Sequence, residues 1–126
     1  MIQLMVDESY AFDYLSILNI KYSMDTTNAQ KRKNYIDCYG FIKNQFSDRV
    51  LFDSIMASEE YKECCEANTL TFKAVDAAKT DKVPASYVDS CNYKRHAAKQ
   101  KLQKKFFNTS LTETKIGYEL YNGKDL

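Results

Sequence analysis

Apolar side chains recur along this chain at spacings of three and four, the pattern of helices that each bury one face. From Asp7, a residue able to cap a helix start, Ala11, Tyr14, Leu15, Leu18 and Tyr22 share a face, and Phe12, Ile17 and Ile20 widen it. A helix so apolar all round is expected at the centre of a bundle, touched on several sides. The polar stretch Ser23-Met24-Asp25-Thr26-Thr27-Asn28 is a connection. A second helix is predicted from about Ala29 to Phe46, with Tyr35, Cys38, Tyr39, Ile42 and Phe46 inward. Gly40 interrupts it at a cost of about 1 kcal/mol relative to Ala, and leaves a flat spot that a neighbour can approach closely. Ser47-Asp48 open a short third helix through Leu51, Phe52, Ile55 and Met56. Ser58 followed by Glu59 and Glu60 reads as a cap with first-turn acids, starting a fourth helix to about Lys79 that buries Tyr61, Cys65, Phe72 and Val75. Asp81-Lys82-Val83-Pro84 is the next boundary, with Pro84 in the first turn of a fifth helix. That helix runs to about Phe107, with Val88, Cys91, Ala98, Leu102 and Phe106 in line.

The two ends differ in kind. Residues 1–6 alternate Ile2, Leu4 and Val6 with Met1, Gln3 and Met5. The Thr-rich tail alternates Ile116, Tyr118 and Leu120 and stops at the turn pair Asn122-Gly123. The tail pairs with residues 1–6 as a small two-stranded ribbon, or lies on the bundle as an arm. With 126 residues the chain is long enough for one core. Three Gly and one Pro are too few for the frequent turns of a strand-rich fold. The expected fold class is therefore all-α: a bundle of about five helices over residues 1–110, with residues 111–126 an extended C-terminal arm of the same domain.

Charge changes this picture in one place. Residues 1–93 carry 10 basic and 14 acidic side chains, whereas residues 94–105 carry 6 basic and none acidic. On a helix turning about 100° per residue, Lys94, Lys101 and Lys105 line up, with Lys104 beside them. Such a stripe suits phosphates of a nucleic acid, and it also suits a solvated face near a helix C-terminus, where the dipole favours cations. Arg95 falls instead between Cys91, Ala98 and Leu102 on the apolar face. A buried guanidinium needs a partner, for which Asp76 and Glu66 of the fourth helix are candidates, unless the side chain reaches out between helices. Asn68 lies similarly between Cys64, Cys65, Phe72 and Val75, and suits a satisfied core amide better than a ligand contact.

Other chemistry is thin. Cys38, Cys64, Cys65 and Cys91 all fall on inward faces. Adjacent Cys64 and Cys65 diverge too far to share one tetrahedral metal site, so inert thiols are expected, with no metal and no cofactor. His96 is the sole histidine and is read as a surface residue without a carboxylate at i±4 to orient it. Gly40, Gly117 and Gly123 are too scattered for a phosphate loop. Eight of the ten tyrosines lie on predicted helices, most on core faces. The first residues lack the basic start and apolar run of a signal peptide, and nothing approaches the ~18 apolar residues of a membrane span, which points to a reducing cytoplasm.

Several segments carry a resemblance: Asp7-Glu8-Ser9-Tyr10-Ala11-Phe12-Asp13-Tyr14-Leu15, Glu60-Tyr61-Lys62 with Glu66-Ala67-Asn68, Leu102-Gln103-Lys104-Lys105-Phe106-Phe107, and Lys115-Ile116-Gly117-Tyr118-Glu119. Together they resemble short proteins encoded by tailed bacteriophages of marine bacteria. The resemblance implies a setting, an accessory protein in a bacterial host cytoplasm, and transfers no activity and no site residue. The expected function is a non-catalytic protein-interaction or accessory module with a protein partner or a second copy. Nucleic-acid binding through Lys94, Lys101, Lys104 and Lys105 is the alternative.

Overall fold

The computed structural model describes residue 2 and residues 5–107, and these form five helices with no strand among them. In chain order they are α1 (Glu8–Ser23), α2 (Ala29–Asn44), α3 (Arg49–Met56), α4 (Glu59–Lys79) and α5 (Ala85–Phe106). The fold class is all-α, as the apolar spacing predicted. The proposed ribbon and the arm over residues 111–126 lie outside the described residues.

Local chemistry explains where the helices begin. The side chains of Asn28, Asp48 and Ser58 each accept the backbone N–H three residues on, from Lys31, Leu51 and Tyr61, and so fill an orphan donor of the first turn. Pro84 sits one position earlier than predicted, as the N-cap of α5. Helix α2 stops at Asn44, two residues short of the predicted end, because Gln45 and Phe46 turn back with their N–H groups on the carbonyls of Ile42 and Lys43. The α4–α5 turn is a Schellman arrangement: Lys82 N–H donates to the Ala77 carbonyl and Asp81 N–H to that of Ala78. It requires a left-handed residue, and Asp81 supplies it at φ 57°. Since Gly adopts this conformation without a Cβ penalty, Asp81→Gly is expected to raise stability by up to about 1 kcal/mol, read as a higher thermal midpoint.

Helix α5 runs against both α1 and α4, which are therefore parallel to each other. Asp13 faces Arg95 and Glu8 meets Gln103, so α1 and α5 run antiparallel. Glu63 pairs with Lys101 and Glu60 with Lys105, so α4 and α5 do too. Helix α1 packs against α2, α4 and α5, the central position its apolar surface implied. The core gathers at the end of the bundle that holds the start of α1 and of α4. There Phe12 is fully buried, with ring centroids of Phe46, Phe52 and Tyr61 at 5.8, 6.0 and 6.2 Å. Leu15, Ile55 and Leu102 complete it, each fully buried.

Several faces differ from the predicted ones. Tyr14 and Val75 are exposed, Cys38 and Cys65 are half-buried, and of the eight helical tyrosines only Tyr61 is buried. These side chains lie at the margins of the apolar arcs of their helices, at the solvent boundary.

Candidate functional site

Three features outside the apolar core are candidates for function: a polar cluster between α1, α4 and α5, the lysine face of α5, and the outer face of α2.

The polar cluster is built from the two residues singled out in sequence, Asn68 and Arg95. Asn68 is 1 % exposed. Its Nδ2 donates to Asp13 Oδ1 at 2.9 Å and to Ser16 Oγ at 2.5 Å, and the Ser16 hydroxyl donates to the Asp13 carbonyl at 2.7 Å. Arg95 does not pair with Asp76 or Glu66. Its Nη2 reaches Asp13 Oδ2 at 3.5 Å and its Nη1 reaches Asn92 Oδ1 at 3.2 Å. The correction has a plain cause: the partner comes from α1, which no periodicity within α4 or α5 can reveal. One carboxylate on the central helix thus gathers an amide from α4 and a guanidinium from α5. Two atoms of the cluster, Asn68 Oδ1 and Arg95 Nε, are buried and meet no hydrogen-bond partner among the described residues. A cleft of about 320 Å³ is lined in part by Asn68 and Arg95, with Ile17, Phe72 and Val75 also among its walls.

Sequence reasoning missed Asp13, Ser16 and Gln103. Asp13 carried a signal, an acid inside a helix otherwise apolar on every side. Gln103 carried none. It is 3 % exposed, accepts the Ser9 backbone N–H at 2.9 Å and donates to Glu8 Oε1 at 3.0 Å, so it caps the first turn of α1 from another helix.

Lys94, Lys101, Lys104 and Lys105 are all exposed on α5. Lys101 Nζ lies 3.1 Å from Glu63, and Lys105 Nζ lies 3.4 Å from Glu60. Among the described residues, Lys94 and Lys104 enter no ion pair. Half of the stripe is therefore already neutralised by α4. Lys99 points elsewhere, its ammonium 3.7 Å from the centre of the Tyr10 ring. His96 is half-buried rather than on the surface.

On α2 only Ile42 is buried. To either side of the face opposite Ile42 stand Ile36, 47 % exposed, and Phe41, 63 % exposed. A Cβ added at Gly40 meets nothing within 4 Å, so no neighbour among the described residues uses the flat spot that the glycine provides.

The cysteines are free thiols, and among the described residues no cluster of three His, Cys, Asp or Glu side chains is placed to hold a metal ion. Burial pushes the Cys64 thiol from 9.0 up to about 12, and raises Cys38, Cys65, Tyr35 and Tyr61 as well. Each of these groups is favoured neutral in the fold. The unfolded chain releases the thiol protons from about pH 9 upward, so their contribution is intact below that pH and is lost as pH climbs toward about 12. Urea midpoints are expected to hold between pH 7 and 8 and to fall steadily above 9. An alkaline limb as flat as the neutral one contradicts this. No helix among the described residues is long and apolar enough to cross a membrane.

Comparison with protein-family models, with curated proteins and with solved structures finds no match to this chain.

Proposed function

We propose that this chain is a non-catalytic helical interaction module that pairs with a second copy of itself across the outer face of α2. The observation that supports it is the unused glycine. Gly40 costs about 1 kcal/mol relative to Ala in a helix interior, yet no described residue comes within 4 Å of where its Cβ would be. Ile36 and Phe41 are exposed on either margin of the glycine's face, about 140° apart around the helix, so a second α2 packed over Gly40 would meet apolar side chains at both edges. One helix face falls short of the ~1,000 Å² expected of a stable interface, so the pairing is weak and reversible.

Sedimentation from micromolar to millimolar concentration tests this. The wild-type mass should rise from monomer toward dimer. Gly40→Leu and Phe41→Glu should remain monomeric, with urea midpoints no lower than wild type. A wild-type chain that stays monomeric throughout overturns the proposal.

The alternative rests on the exposure of Lys94, Lys101, Lys104 and Lys105. Binding a nucleic acid there requires Lys101 and Lys105 to exchange Glu63 and Glu60 for phosphates. It should weaken steeply with salt and disappear on charge reversal at Lys94 and Lys104. Duplex DNA that leaves fluorescence anisotropy unchanged at low salt removes this reading. In either case the resemblance to phage proteins suggests a bacterial cytoplasm as the place of action.

A further inference from the structure

We propose that a second cleft, framed by the start of α1, the turn after α2 and the start of α3, is a docking groove for this chain's own residues 108–112, with the Leu111 side chain as its apolar anchor. The cleft measures about 410 Å³, and Phe12, Ile42, Phe46 and Leu51 are among its walls. Covering such apolar surface is favourable. Residues 108–112 lie outside the described residues, and the described chain ends at the groove itself.

Phe107, the first residue after α5, lines this cleft, and its ring lies 6.4 Å from that of Phe46. Its backbone is extended, at φ −133° and ψ 142°. In an extended chain every second side chain takes the same side. Continuing that conformation puts Thr109 and Leu111 on the side that Phe107 turns to the core. Leu111 is the first large apolar residue beyond Phe107. Four residues of extended chain, about 13 Å, separate the two, so both side chains can serve one groove.

Charge and tethering select this occupant. The charged residues lining the cleft, Asp7, Glu8 and Asp48, are all acidic. Carboxylates accept hydrogen bonds and repel another acid. Asn108, Thr109, Ser110 and Thr112 carry donors and no charge, and the first charged residue beyond α5 is Glu113, one past the segment. The other end of the chain leaves the groove open: Val6 lines it, but Met5 is 82 % exposed and Ile2 86 %. A segment tethered at Phe107 has an effective concentration on the order of millimolar, which favours it over the same segment of a second copy in dilute solution.

Nuclear Overhauser contacts in the full chain test this. With ¹³C-labelled and unlabelled chains mixed, the Leu111 methyl groups should show contacts to the Phe46 ring and the Leu51 methyls within one chain and none between chains. Leu111→Asp should lose these contacts, keep the amide pattern of the five helices, and bind several-fold more of the apolar dye anilinonaphthalene sulfonate. Leu120→Asp, the same change outside the segment, should leave dye binding at the wild-type level. The proposal is overturned if wild-type Leu111 contacts neither Phe46 nor Leu51. Contacts only between chains overturn it too, since a second copy's tail is then the occupant. So does equal dye binding by Leu111→Asp and Leu120→Asp.

Discussion

Asp13→Ala is expected to destabilise the chain by about 2–4 kcal/mol, among the largest effects of any polar substitution in it. The Asp13 side chain is 15 % exposed and Arg95 29 %. Removing the carboxylate leaves a guanidinium largely out of water with only Asn92 for company, and takes one acceptor from the Asn68 amide. The ion pair itself is long at 3.5 Å, so most of the loss is the desolvation of the abandoned partners rather than Coulomb attraction. Asp13→Asn, which keeps an acceptor for Asn68, should cost less. A double-mutant cycle with Arg95→Met separates the two causes, since the hydrophobic replacement removes the stranded charge. The coupling should exceed about 1 kcal/mol, and additivity within about 0.5 kcal/mol would show that Arg95 and Asp13 do not depend on each other.

Phe12→Ala should cost more, about 3–5 kcal/mol, from lost transfer energy and the cavity left among three aromatic neighbours. The ring is fully buried, and Phe46, Phe52 and Tyr61 approach it from the turn after α2, from α3 and from α4. Loss of the ring removes a contact shared by four elements, so the surrounding side chains cannot collapse on it from one direction. That is a large share of the 5–15 kcal/mol typical of a domain. The internal control is two residues away: Tyr14 is 58 % exposed, and Tyr14→Ala should change stability by no more than about 0.5 kcal/mol. Urea denaturation of both variants decides it. Equal losses would mean that α1 is rotated from the position described.

How far the sequence could be read differs between core and cluster. The helix starts at Asn28, Asp48 and Ser58 were legible because a cap is a local event, settled within three residues. The fully buried side chains Phe12, Leu15, Phe52, Ile55 and Leu102 were all placed on helix faces for the same kind of reason. Asn68 was recognised as buried and Arg95 as inward, but their common partner was not. The Asn68–Asp13 contact spans 55 positions and the Arg95–Asp13 contact 82, and no repeat in the chain encodes either. The lysine stripe was legible as a stripe. Its partial neutralisation was not, because Glu60 and Glu63 reach it from α4.

Local spacing and capping chemistry thus determined that this chain is helical, where α2, α3 and α4 begin, and which broad face turns inward. Tertiary structure decided which helix edges stay wet, that α1 carries the acid shared by Asn68 and Arg95, and that no described residue fills the space above Gly40. The division has one physical cause. Helix formation and capping are governed by interactions a few residues apart, whereas an ion pair, a cleft or an unfilled face depends on how separate helices rotate and slide against each other.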